Sequence, residues 1–149
     1  MEEKEKDGIT TEHLEEKGKK GEIYVIKKIL ELGWKVMDPL DKYSIWDYKL
    51  SKDGKEIYLQ IKYKEPRIYY PDTGVGLKQF EKYLKFQEES KIPYLILFTD
   101  DSGRIYGDFL DNLKNNQSKK AIQNSKDQYE MIYWDIEILK DYIELIKKC

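Results

Sequence analysis

Ile57-Tyr58-Leu59-Gln60-Ile61-Lys62-Tyr63 is the stretch on which the fold turns. Ile57, Leu59, Ile61 and Tyr63 fall on one side of an extended chain, and Tyr58, Gln60 and Lys62 on the other, the two-residue period of a strand. Just upstream, Lys52-Asp53-Gly54-Lys55 has the Asp-Gly signature of a tight hairpin turn. Residues 45–50 are therefore predicted as the other arm, and residues 34–37 as a further short strand closed by Asp38-Pro39. Before them, Ile23, Ile26, Ile29 and Leu30 recur at helical spacing, so a helix is predicted over residues 19–32, stopped by Gly33. After the central strand, residues 64–76 read as a loop and 77–89 as a helix with Leu77, Phe80 and Leu84 on one stripe. Residues 94–98 form a continuous apolar run, as in a strand buried on both faces. A short strand over 104–106, a polar mixture over 110–125, a strand over 131–134 and a closing helix over 136–147 complete the reading. The fold class is thus α/β, one domain over residues 19–149 behind a flexible tail of residues 1–18. Its central sheet follows the order α-β-β-β-α-β, with a C-terminal strand and helix added.

Composition removes several kinds of chemistry. The chain has 149 residues, enough for one self-sufficient core and short for two. A single cysteine, Cys149, excludes a disulfide framework and a thiolate-rich zinc site. A single histidine, His13, excludes a multi-histidine centre and argues against a Ser-His-Asp relay. No apolar run approaches the ~18 residues of a membrane-spanning helix, and the opening residues are acidic and polar, unlike a signal peptide. A cytoplasmic protein is expected, whose chemistry rests on carboxylates, lysines, amides and tyrosines.

The net charge of −2 conceals blocks of opposite sign. Residues 1–16 sum to −5, residues 17–35 to +4 and residues 49–91 to +3. Local basic surface, rather than the total, sets the footprint for a polyanion. A solvated lysine-rich surface is the plainer reading of the same blocks.

Asp47 falls within a predicted strand, where aspartate is depleted. With the turn at Asp53-Gly54, Asp47 and Gln60 lie at nearly matched distances on opposite arms, and Lys62 shares the face of Gln60. Glu22, one turn from Ile26, faces the apolar side of the first helix, a position that the helix dipole alone would also favour. An acid, an amide, a lysine and a second acid are expected to converge.

Glu22 on the first helix, Asp47, then Gln60-Ile61-Lys62 after a hairpin, followed by a helix and a buried strand, resembles the PD-(D/E)XK nuclease superfamily, with its restriction-endonuclease-like fold. The resemblance covers residues 19–100. It implies Asp47 and Gln60 as ligands of Mg²⁺ or Mn²⁺, with the Ile61 carbonyl beside them. It also implies a catalytic Lys62 and, in Glu22, the helix acid that some members use through water. Two departures stand out: Trp46 occupies the place of the proline, and Gln60 that of the second acid. A neutral amide oxygen removes one charge and implies weaker Mg²⁺ binding. Arg67, Tyr69 and Tyr70 in the following loop are candidates to grip phosphate or stack on a base, with Lys78, Lys82 and Lys85 on the next helix. The implied function is metal-dependent phosphodiester hydrolysis, with nucleic acid as partner, DNA ahead of RNA, and a homodimer as the expected assembly. The alternative is a catalytically inactive module of the same fold that binds nucleic acid or a protein partner.

Overall fold

Asp53 and Gly54 both take positive φ, 51° and 81°, the pair of left-handed residues that a two-residue hairpin turn requires. They set the register of the central hairpin, with Lys52 opposite Lys55 and Tyr48 opposite Leu59. The computed structural model of the chain describes residues 10–39, 44–64, 72–116, 119–123 and 129–147. The elements are α1 (Thr10–Glu31), β1 (Lys35–Met37), β2 (Tyr48–Lys52), β3 (Lys55–Tyr63), β4 (Asp72–Gly76), α2 (Leu77–Ser90) and β5 (Tyr94–Thr99). They continue with β6 (Ile105–Phe109), α3 (Leu110–Asn115), β7 (Lys119–Gln123), β8 (Tyr129–Asp135), a 3₁₀ turn (Ile136–Ile138), β9 (Lys140–Asp141) and α4 (Tyr142–Lys147). A six-stranded mixed sheet runs β1-β2-β3-β5-β6-β9, and β4-β8-β7 form a smaller antiparallel sheet. In the large sheet β3 and β5 pair in parallel, and the crossover between them carries β4 and α2.

The alternation of β3 divides the core. Ile57, Leu59 and Ile61 join Leu95, Leu97, Val25, Ile29, Leu145 and Ile146 under α1 and α4. The opposite face packs Tyr94, Ile96 and Phe98 against Phe80 and Tyr83 of α2, Leu110 and Leu113 of α3, and Ile132 and Trp134 of β8. All six residues of β5 are buried, which explains why its sequence carries no alternation. Each large apolar side chain so buried stabilises the fold by about 1.5–3 kcal/mol. Trp134 is fully buried, and its indole N–H donates to the Leu113 carbonyl at 3.0 Å, so burial leaves no orphan donor there.

The mixed sheet flanked by helices is the expected architecture, and four local expectations change. α1 begins at Thr10, so part of the segment read as a tail is helical. β2 begins at Tyr48, which leaves Asp47 just outside the strand. β4 lies in the segment read as a loop, and β7 in the polar mixture. The closing helix is shorter than expected: Lys140 and Asp141 pair with β6, and Asp141 Oδ2 accepts the Ile143 N–H at 3.0 Å, capping a helix that starts at Tyr142.

β5 and β6 approach so closely that a Cβ on Gly107 would lie 1.9 Å from the Ile96 carbonyl oxygen. Backbone cannot yield as a flexible side chain can. Gly107→Ala is expected to cost about 3 kcal/mol or more in urea denaturation. Gly76→Ala, which meets nothing within 4 Å, should cost under about 1 kcal/mol.

Candidate active site

The site forms where β2 parts from β3. The Asp47 N–H donates to the Leu59 carbonyl at 2.9 Å, and there the backbone ladder ends. The Asp47 side chain then stands in for the missing strand: Oδ2 accepts the Ile61 N–H at 2.9 Å and the Gln60 Nε2 at 3.1 Å. An aspartate is placed here because its short carboxylate can satisfy a ladder N–H that has lost its partner. The Ile61 carbonyl points to the same side as its N–H, toward Asp47, as both groups of one strand residue do.

Three further elements deliver the remaining groups. Gly21 brings α1 onto the sheet, where a Cβ would lie 3.2 Å from both Thr99 Cγ2 and Tyr63 Cδ1. The next residue, Glu22, accepts a hydrogen bond from the Tyr48 hydroxyl through Oε1 at 3.1 Å. Lys62 follows Gln60 on the same face of β3, donates from Nζ to Gln79 Oε1 at 3.2 Å, and stands 5.8 Å from the Tyr83 ring centroid. On the far side of Gln60, the Tyr94 hydroxyl lies 3.0 Å from Oε1 and 2.5 Å from the Ile45 carbonyl oxygen.

Burial dominates the electrostatics of all four groups. It raises the Glu22 carboxyl above its ordinary range, and the Asp47 charge adds to this against the Tyr48 hydrogen bond, Lys19 and Lys62. It also raises Asp47, opposed by the Ile61 N–H, Lys62 and Gln60. Burial lowers the Lys62 ammonium, outweighing the pull of Asp47 and Glu22, and Lys64 lowers it further. Lys64 is itself lowered by burial, and no carboxylate among the described residues offsets that. Two acids that repel each other share one desolvated region with two lysines whose charged forms burial disfavours.

Beside Lys62 runs a groove of 720 Å³, bounded by Lys62, Tyr63, Lys64, the 74–79 segment, Glu130 and Met131. Of the residues singled out in the sequence, Asp47, Gln60, Lys62 and Glu22 come together, and exposed Lys78 reaches the groove. Lys82 is exposed one turn along α2 and does not line it. Lys85 lines a different depression with Lys91 and Lys114. Arg67, Tyr69 and Tyr70 lie outside the described residues. Lys64, Gln79, Tyr48 and Tyr94 were missed. Only Lys64 carried a sequence signal, the Lys62-x-Lys64 spacing that repeats on one face of an extended chain.

The hard oxygen donors gathered here among the described residues are the Asp47 and Glu22 carboxylates and the Ile61 carbonyl, with the Gln60 amide oxygen turned to the Tyr94 side. Their chemistry fits Mg²⁺ or Mn²⁺, and a cation would relieve the mutual repulsion of the two acids. No group of three or more His, Cys, Asp or Glu side chains suited to a metal occurs among the described residues, so amide and backbone oxygens would have to complete the set. Because Asp47 is raised above its ordinary 3.8, its stabilising contribution in metal-free protein is fully present below that value and is lost as pH rises through the raised one. Asp47→Asn carries no such loss. Its melting temperature relative to wild type should therefore climb between pH 3.5 and pH 7 in EDTA. A flat or falling difference in thermal melts would contradict this electrostatic account.

No family model and no curated protein matches the chain. Solved structures do. The chain is similar to Hjc of Archaeoglobus fulgidus, a Holliday junction resolvase from an archaeal hyperthermophile, with a TM-score of 0.60. The match covers 86% of this chain and 93% of that one at 8% sequence identity. At this identity the likeness is one of fold: the chain shares with that structure a mixed α/β architecture, here a central mixed sheet flanked by helices.

Proposed function

We propose that this chain is a divalent-metal-dependent nuclease that hydrolyses phosphodiester bonds in DNA. One observation carries the reading. Two desolvated carboxylates, an amide and a lysine with a lowered pKa meet where β2 leaves β3, beside a groove edged by Lys62, Lys64 and Lys78. The same composition in a merely structural cluster would pair its charges directly. Here the Lys62 ammonium is instead hydrogen-bonded to Gln79.

In this reading Asp47, the Gln60 amide oxygen and the Ile61 carbonyl would hold the cation, with Glu22 as the further acid that would act through water. Mg²⁺ or Mn²⁺ bound there would supply positive charge to the phosphate and make an attacking water more acidic. Lys62, lowered by burial, orients that water or takes its proton, and Gln79 fixes the direction of Nζ. Lys64 and Lys78 hold the backbone phosphates of the strand in the groove, Lys82 stands one turn further along α2, and the sequence candidates Arg67, Tyr69 and Tyr70 are proposed to add to binding. The fold likeness to a Holliday junction resolvase supports DNA ahead of RNA and adds the four-way junction to the candidate substrates. Cutting two strands needs two such sites, which makes a homodimer the natural working form.

One observation favours a second reading. Gln60 turns its nitrogen toward Asp47, an arrangement suited to a nuclease-fold module that binds nucleic acid without cutting it. A cleavage panel separates the two: linear duplex, single-stranded and four-way-junction DNA, plus RNA, each with Mg²⁺, Mn²⁺ or EDTA. Metal-dependent cutting should fall about 10²–10⁴-fold in Lys62→Ala and in Asp47→Ala. Equal inertness of wild type and both variants, with DNA binding retained in EDTA, would establish the binding module instead. In either case Lys64→Ala should weaken DNA binding and reduce the slope of log affinity against log salt by about 1.

A further inference from the structure

We infer that Gln60 is a rotating ligand, and that Tyr94 is the positioning residue that lets its amide oxygen turn toward the cation. This rests on the reading of the site as a metal centre.

A phenol has one hydrogen to give, and the Tyr94 hydroxyl faces two acceptors. The Ile45 carbonyl, at 2.5 Å, is the nearer; Gln60 Oε1 is at 3.0 Å. With the hydrogen on Ile45, Gln60 Oε1 confronts a lone pair of the phenol oxygen. The other end of the amide is satisfied, because Nε2 donates to Asp47 Oδ2 at 3.1 Å. One end of Gln60 is thus well matched and the other is not. Half a turn of the amide reverses this. Nε2 then donates to the Tyr94 oxygen, the Tyr94 hydrogen stays on the Ile45 carbonyl, and the chain from Gln60 to Ile45 runs donor to acceptor throughout.

The cost of that turn falls on Asp47, whose Oδ2 would then face another oxygen at about the present spacing. Neighbouring oxygens around Mg²⁺, each 2.0–2.1 Å from the ion at right angles, lie about 2.9 Å apart. The separation of 3.1 Å between Oδ2 and the amide atom facing it is close to this. The nitrogen-inward form therefore suits the metal-free site and the oxygen-inward form the loaded one. Tyr94 is held for the task. It is fully buried, stacked on Tyr83 at 5.1 Å and 21°, with Phe86 edge-on. A glutamate at position 60 would need no such acceptor, since it has no N–H to accommodate.

A double-mutant cycle on Mn²⁺ binding, read by the loss of the free-ion paramagnetic signal, tests the inference. Tyr94→Phe should weaken binding about tenfold, the scale of one hydrogen bond. Gln60→Glu should tighten it, and adding Tyr94→Phe to Gln60→Glu should change it less than about twofold. Equal losses in the two backgrounds, or no loss in the first, would overturn the inference and leave the nuclease reading standing. No Mn²⁺ binding by any of the four proteins would overturn both. A second readout needs only wild type. In glutamine-¹⁵N-labelled protein, the Gln60 side-chain amide peaks, assigned by their absence in Gln60→Glu, should move on saturation with Mg²⁺. Unmoved peaks would overturn the inference even if Tyr94→Phe did not fold.

Discussion

The hydrogen bond from the Ile61 N–H to the Asp47 carboxylate is the constraint on which the site depends. A hairpin that continued pairing past Leu59 would have no crevice, and one that simply frayed would leave ladder groups of β3 without partners. Asp47 resolves both difficulties. It ends the ladder with a side-chain oxygen, and in doing so carries a negative charge to the point where the strands separate. The same oxygen atom draws in the Gln60 amide nitrogen, and the Ile61 carbonyl is turned to the same side. Local backbone satisfaction and the gathering of polar groups around Asp47 are here one arrangement.

That arrangement is electrostatically costly. Burial disfavours the charged forms of Glu22, Asp47, Lys62 and Lys64, and the pairings that would offset this are incomplete. The cost is borne by the two apolar layers, above all by β5, which is buried along its whole length. Gly21 belongs to the same balance. A Cβ there would sit 3.2 Å from Thr99 Cγ2 and Tyr63 Cδ1, so those side chains would have to give by a few tenths of an ångström beside the helix turn that carries Glu22. A small residue on a packed helix face thus allows the close approach of α1 to the sheet.

What was legible in the sequence was whatever obeyed a simple period or a stereotyped turn. The alternation of β3, the Asp-Gly turn and the unbroken apolar run of β5 led to the central sheet and to the neighbourhood of Asp47, Gln60 and Lys62. β4 was not legible, because Asp72-Thr73-Gly74-Val75-Gly76 has the composition of a turn; it is a strand only through pairing with β8, where Gly74 admits the Ile132 carbonyl. The first turns of α1 contain too few apolar residues to show a period. The closing helix was read too long because Ile136 and Ile138 mimic helical spacing, while the Asp141 cap that starts it draws its meaning from three dimensions. Within the site, Tyr94 was hidden inside an apolar strand, one more buried aromatic until its hydroxyl could be seen between Ile45 and Gln60.

The topology also orders the assembly of the site in time. Asp47, Gln60 and Ile61 belong to a hairpin closed by two residues, a local structure that forms on the scale of microseconds. Tyr94, Gln79 and Tyr83 reach it only after the 30 residues between β3 and β5 have closed into a parallel pair, a step of high contact order. The acid thus finds its backbone partner within a local hairpin, whereas the burial that disfavours the charge of Lys62 depends on elements brought in by that long-range pairing. The two halves of the site rest on contacts of very different reach along the chain.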